Sequence, residues 1–235
     1  MPTLVFDIET LGEEFDSLDA TTQKSLTRWI REDALSPEEY DATLQGVKEG
    51  LGFSPFTGSV VSIAIRDLER GRGAVYFAAP NANLEMFEEE NVVYRPLSEE
   101  ELLRQFWEAA SKYSSFVTFN GRGFDAPFLA VRSAVYGIRP SIDLLANRYL
   151  NYKQRVKHID LQDQLTFYGA VRRRPSLHLA CRAFGITSPK SDGVDGHEVA
   201  SLFRDGRFLD IARYNMEDVR ATAELYEKWR DFIAF

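Results

Sequence analysis

The chain has 235 residues, 44% of them hydrophobic and 13% aromatic, enough to bury a substantial core as one domain. No apolar run approaches the roughly 18 residues of a membrane span, no charged-then-apolar leader opens the sequence, and a cytoplasmic protein with no membrane partner is expected. The single cysteine, Cys181, excludes an internal disulfide, argues against a thiolate metal cage and reads as a small core residue.

The net charge of −8 argues at first sight against a polyanionic ligand. The total conceals an asymmetry. Residues 1–110 hold 9 Lys and Arg against 22 Asp and Glu, whereas residues 111–235 hold 19 against 14. Basic segments such as RYLNYKQRVK (148–157) and RRR (172–174) can therefore present a basic face within an acidic chain.

In chain order, residues 3–8 read as a buried strand that ends in a turn at Thr10, Leu11 and Gly12. Residues 13–50 are charged and amphipathic and predict two inserted helices, 17–33 and 37–49, the second opening at Ser36-Pro37-Glu38-Glu39. GSVVSIAIRDL (58–68) and GAVYFAAP (73–80) predict two strands that continue a meander from the first. A serine cap and the apolar positions Leu102, Leu103, Phe106, Trp107 and Ala110 make 98–113 an amphipathic helix. SFVTFN (115–120) is a short buried strand, followed after GRGF by a helix over 125–136. The remainder reads as helical at about 159–168, 176–184, 197–204 and 207–231. This order predicts an α/β fold with a mixed sheet rather than a doubly wound parallel one.

The chemistry begins in LVFDIET (4–10). Side chains alternate across a strand, so Asp7 and Glu9 project from one face while Ile8 points into the core. Two such carboxylates repel unless a cation lies between them or one keeps its proton; the plainer alternative is a strand end emerging into water. TFNGRGFDAPFL places Asp125 at a strand-to-helix junction, where it is a ligand or a helix cap. In YNMEDV, Tyr214 and Asp218 lie four apart on one helical face, which alone would suit a surface contact equally well. Together these stretches offer four hard oxygen ligands. Such a set meets the demand of a two-metal phosphoryl-transfer site, with ions about 3.5–4 Å apart and Tyr214 placed to orient or deprotonate the attacking water.

The motifs F-D-I-E-T, N-x-x-x-F-D and Y-N-x-x-D, in this order, resemble the three exonuclease motifs of the DEDD superfamily of 3′→5′ exonucleases, tyrosine subclass. SPFTGSVVSIAI, HIDLQDQLTFYG and SLHLACRAFGI look like the predicted exonucleases related to the proofreading domain of family-B DNA polymerases. The resemblance runs from the first strand to the last helix. It implies a single exonuclease domain over 1–235, with a ribonuclease H-like mixed sheet flanked by helices and a helical insertion at 13–50. It also implies two divalent cations, Mg²⁺ or Mn²⁺, held by Asp7, Glu9, Asp125 and Asp218, with Tyr214 as the fifth catalytic residue. The sister subclass uses a histidine five residues before its last aspartate, a spacing that His158 and Asp163 share; they lie too early in the chain, and His158 reads as structural, with Asp160 an outer-shell acid or a helix cap.

On the substrate side, Asn120 could bond substrate or its own turn, and Phe124 could stack on a terminal base or pack in the core. Thr10 and Leu11 are similar to family positions that touch the terminal nucleotide. The basic runs, with Tyr149 and Tyr152 interleaved, suit a single strand leading to the site, and Lys190 lies in a loop that could cover it. The expectation is a 3′→5′ exonuclease releasing nucleoside 5′-monophosphates from single-stranded DNA or 3′ ends, with the 13–50 insertion as a candidate surface for a protein partner. An exoribonuclease, an inactive nucleic-acid-binding module and a metal-free hydrolase using Asp7 and Glu9 as acid and base are the rivals.

Overall fold

The computed structural model describes residues 2–33, 36–150, 155–188 and 198–234. A seven-stranded mixed sheet forms the centre: β1 (Thr3–Gly12), β2 (Gly58–Asp67), β3 (Arg72–Phe77), β4 (Phe87–Glu89), β5 (Val92–Pro96), β6 (Ser115–Thr118) and β7 (Lys157–Asp160). Their spatial order is β4-β5-β3-β2-β1-β6-β7. The expected meander is present, since β1 pairs antiparallel with β2 and β2 antiparallel with β3, while β1, β6 and β7 run parallel. Strand β1 is thus one of the places where the sheet changes between antiparallel and parallel pairing, as β3 is between β2 and β5, and its carboxyl end lies at a crevice of the kind that binds ligands in α/β sheets.

Alternation along β1 sorts the core. Leu4, Phe6 and Ile8 pack with Ile63 and Ile65 under helices α3 (Glu99–Ala110) and α4 (Asp125–Val135). Val5 faces the other way, with Ala64, Val75 and Val117, under the long helix α8 (Phe208–Phe232). Asp7 and Glu9 share the face of Val5, so the period of two aims both acids at α8. Helix α3 begins as its sequence predicts, with a reciprocal Ser98/Glu101 capping box.

The insertion is helical: α1 (Ala20–Asp33) and α2 (Pro37–Gly50), the latter capped by Ser36 with Pro37 in its first turn. The chain leaves β1 and returns at backbone contact, because a Cβ on Gly12 would stand 2.6 Å from the Gly52 nitrogen. Two differences from the sequence reading have clear causes. The helix expected at about 159–168 starts as strand β7; only Leu161–Leu165 (α5) is α-helical, because HID fills the edge position beside β6 and Asp160 then caps the turn. The hairpin β4–β5 was not expected: its turn uses Glu90 and Asn91, both left-handed (φ 50° and 63°), in place of the glycine that announces such turns. Helices α6 (Leu177–Phe184) and α7 (Val199–Arg204) pack with α8, and Cys181 is buried, its thiol pushed up to about 11 by desolvation. No described helix is long and apolar enough to cross a membrane.

Candidate active site

Three elements deliver the acids. Asp7 and Glu9 come from the middle of β1, beyond its final rung with β6 at Val5–Val117. Asp218 comes from α8, and carboxylate oxygens of Asp7, Glu9 and Asp218 lie within 4.8 Å of one another. Asp125 is the first residue of α4; its Oδ1 accepts the Ile8 N–H at 3.1 Å, a donor that β6 is too short to use. The cap position belongs to Phe124, so Asp125 serves as a strand-bridging acid rather than a helix cap.

The electrostatics follow from this crowding. Burial, then the charges of Asp125, Asp218 and Glu9, drive the Asp7 carboxyl well above its ordinary range, against the lowering effect of an Asn215 hydrogen bond. Burial also pushes Asp125 up to about 7, opposed by hydrogen bonds from its own N–H and that of Ile8 and reinforced by Asp160 and Asp218. Tyr214, one turn before Asp218 and hydrogen-bonded to it, has its phenol raised by burial and by Asp218, Glu9 and Asp7. Three carboxyl groups thus cluster in a partly buried crevice, with Asp125 held against the same strand by its bond to Ile8, and hard oxygen donors of this kind could hold a divalent cation.

Asn215 escaped the sequence reading as a site residue. Its Nδ2 donates to Asp7 Oδ2 at 2.7 Å, and its Oδ1 accepts from Ser62 at 2.8 Å, both Asn215 and Ser62 being fully buried. The signal lies in its spacing and type, since 208, 211, 212, 215, 219 and 222 are among the buried positions of α8 and Asn215 is the only amide in that helix.

Of its two expected roles, Asp160 takes that of the helix cap. It caps α5 through Gln162 and Asp163, and it takes the N–H groups of Asn120 (2.9 Å) and Arg122 (2.9 Å), fixing the turn that leads to Asp125. His158 is structural as expected: Nδ1 donates to Leu144 O at 2.8 Å, so Nε2 must accept from Thr118 Oγ1, also at 2.8 Å.

A cleft of about 410 Å³ opens at the end of β1 past Glu9, walled by Thr10 and Leu11, by Gly52 and Phe53, by Lys48 and Arg204, and by the acids Glu13, Glu14, Asp16 and Glu49. Thr10 Oγ1 donates to Gly52 O at 2.7 Å, and Leu11 packs beside Val61, Val199 and Ile211. The Phe124 ring lies 6.4 Å from Phe53 and 5.5 Å from Phe128, joining the cleft wall to the Asp125 turn. Asn120 is left-handed (φ 63°) and its carbonyl accepts from Gly123 and Phe124, as a turn residue would. Among the basic runs, Arg148 is paired with Asp163; Tyr152, Lys153 and Lys190 lie outside the described residues.

The sequence matches a family described as "predicted 3′-5′ exonuclease related to the exonuclease domain of PolB" over residues 75–233, a span that holds Asp125, Tyr214 and Asp218. It is 28% identical over 144 residues to a DNA polymerase of Pyrococcus glycovorans, covering 54% of this chain and 18% of that one, with the same figures for a Thermococcus gorgonarius DNA polymerase. In fold it is similar to the family B DNA polymerase of the hyperthermophilic archaeon Pyrobaculum calidifontis, with a TM-score of 0.58, 21% identity, 99% coverage of this chain and 25% of that polymerase. The chain spans under a fifth of the length of the curated relatives it matches.

Proposed function

The chain belongs to the family of predicted 3′-5′ exonucleases related to the exonuclease domain of PolB, and from that premise we propose that it is a metal-dependent 3′→5′ exonuclease acting on single-stranded DNA ends and releasing nucleoside 5′-monophosphates. The observation that carries this reading is the convergence of Asp7, Glu9 and Asp218 within 4.8 Å, with Asp125 bonded to the same strand. DNA is favoured over RNA because the matched relatives are DNA polymerases. Residues 1–235 act in this reading as one exonuclease domain with the 13–50 helices as an appended arm and a surface for a protein partner.

Asp7, Glu9, Asp125 and Asp218 would hold two Mg²⁺ or Mn²⁺ ions, which supply Lewis-acid charge to a phosphodiester and to the water that attacks it. The chain's own residues do the rest. Asn215 holds the Asp7 carboxylate in its rotamer, and Ser62 holds Asn215. Tyr214, its proton retained by burial and neighbouring carboxylates, orients the attacking water by hydrogen bonding. Thr10, Leu11 and Phe124 seat the terminal nucleotide in the cleft past Glu9, while Asn120 shapes the turn that carries Phe124 and Asp125.

End-labelled single-stranded DNA, duplex DNA and RNA, each incubated with Mg²⁺, Mn²⁺ or EDTA, provide the test. Stepwise loss of 3′ nucleotides from DNA only with metal, abolished in Asp7→Ala and Asp218→Ala, supports the proposal. Equal activity in EDTA or in the double variant overturns it, and a preference for RNA overturns the DNA assignment alone.

A further inference from the structure

The arginine run 172–174 lies in a segment whose backbone is unusual. After α5 the chain turns through Phe167 and Tyr168, two consecutive aromatic residues at φ 49° and 56°, a region that bulky side chains avoid. The surroundings dictate this turn. Tyr168 Oη accepts from Gln164 Nε2 at 3.0 Å and from the Leu150 N–H at 3.3 Å, its ring packs on Tyr149, and Thr166 O takes both Gly169 N and Val171 N at 3.0 Å. With Tyr168 turned inward, Phe167 is 55% exposed, Tyr149 51% and Val171 46%.

Arg172, Arg173 and Arg174 follow directly. All three are exposed, and none is in an ion pair with a described residue, whereas nearby Arg148 is neutralised by Asp163. Three adjacent uncompensated guanidinium groups beside exposed rings, in a chain of net charge −8, select a ligand that is both anionic and flat-faced. The place fits too. Asp160 caps α5 and its carboxylate also holds the turn before Asp125, while Gln162 in the first turn of α5 donates to the Pro175 carbonyl at 3.0 Å and so ties the end of the arginine run back to the carboxyl end of β7. Strand β7 is two positions from β1 in the sheet, roughly 10 Å at ordinary strand spacing.

Resting on the exonuclease reading, we propose that Phe167 and Arg172–Arg174 form a track for single-stranded polynucleotide upstream of the 3′ end, with bases stacking on Phe167 and phosphates meeting the arginines. On this proposal a dinucleotide seated at the acids does not engage the track.

The test is fluorescence anisotropy of labelled oligo(dT) of about 20 nucleotides, in EDTA, from about 50 to about 200 mM salt, alongside hydrolysis of a dT dinucleotide with Mn²⁺. The variant Arg172→Gln/Arg173→Gln/Arg174→Gln should lower the slope of log affinity against log salt by about 2, since each phosphate contact on a single strand contributes about 0.7. Phe167→Ala should weaken binding about 5- to 100-fold at fixed salt, with the slope unchanged. Both variants should retain dinucleotide hydrolysis. An unchanged slope in the arginine variant, equal losses on the dinucleotide, or equally strong competition by an acidic peptide would each overturn the track. Failure of the unaltered protein to hydrolyse any dinucleotide would count against the nuclease reading, and the salt slope decides the track independently.

Discussion

Asn215 reaches across from helix α8 to donate its amide to the Asp7 carboxylate at 2.7 Å, while Ser62 from the neighbouring strand donates to Asn215 in turn. A chain of three polar side chains, Ser62 and Asn215 fully buried and Asp7 partly so, therefore connects the middle of the sheet to the acid crevice. Each of its members is satisfied by the next, so removing one leaves a neighbour without its bond.

Asn215→Ala should accordingly cost about 1–3 kcal/mol of stability in chemical denaturation. If Asp7 holds a cation, it should also weaken metal-dependent activity about 10- to 100-fold, an effect recoverable at higher metal concentration. Mn²⁺ titration of the initial rate checks this. Loss of stability without any change in the Mn²⁺ dependence would confine Asn215 to a packing role.

Crowded carboxylates make the metal-free protein less stable than it need be. At pH 8 without divalent cations, Asp125→Asn should raise the melting temperature while abolishing activity, because the amide still accepts from Ile8 and the buried charge is gone. Mn²⁺ should stabilise the unaltered chain and leave the variant's melting temperature in place. Differential scanning calorimetry with and without Mn²⁺ measures both halves of the prediction.

Tyr214→Phe removes one hydroxyl from a buried ring. A residue that orients water predicts a kcat loss of about 10²-fold or more, with KM little changed and the pH profile retaining its shape. A residue acting as base predicts instead that one limb of the profile disappears. Steady-state kinetics across pH separate the two.

His158 ties stability to acid. Burial lowers its pKa from the ordinary 6.5 to about 4, the Leu144 carbonyl partly opposing and Arg122 assisting. A base depressed in the folded state leaves stability intact above the unfolded pKa. That stability is lost as pH falls from about 6.5 through about 4, because only the unfolded chain takes the proton readily. The loss attributable to this ring should be on the order of 3 kcal/mol. His158→Gln should be less stable at pH 7 yet show a flatter acid limb, read as the difference between the two chains at each pH in urea unfolding.

Gly12 and Gly52 touch through their backbones, and there is no flexible side chain to yield. Gly12→Ala should therefore destabilise by about 1–3 kcal/mol and shift Thr10, whose hydroxyl is bonded to Gly52. Reduced activity with unchanged Mn²⁺ affinity would mark the damage as lying on the nucleotide side of the cleft.

Much of this was legible in the amino-acid order because the period-two pattern of β1 leaves no choice about where Asp7 and Glu9 point, and the four-residue spacing in α8 likewise pairs Tyr214 with Asp218. Helix starts at Ser36 and Ser98 were legible for the same local reason, since a capping side chain bonds within three residues. Short strands were not. HID at 158–160 holds too few residues to distinguish a period of two from 3.6, and only its parallel rungs with β6 decide for a strand. The role of Asn215 depends on Ser62, 153 positions away, and so belongs to tertiary structure. The Glu90–Asn91 hairpin adopts a glycine-like turn without glycine, which composition does not signal.

The docking of α8 also gives the chain a temporal order. Asp7 and Glu9 leave the ribosome first and Asp125 follows, but Asp218 and the amide that steadies Asp7 arrive some two hundred residues later. Until α8 settles on the sheet, Asp7 and Glu9 lack both the Asp218 carboxylate and the Asn215 amide. On the exonuclease reading, the acid cluster is therefore complete only once α8 has docked on the sheet.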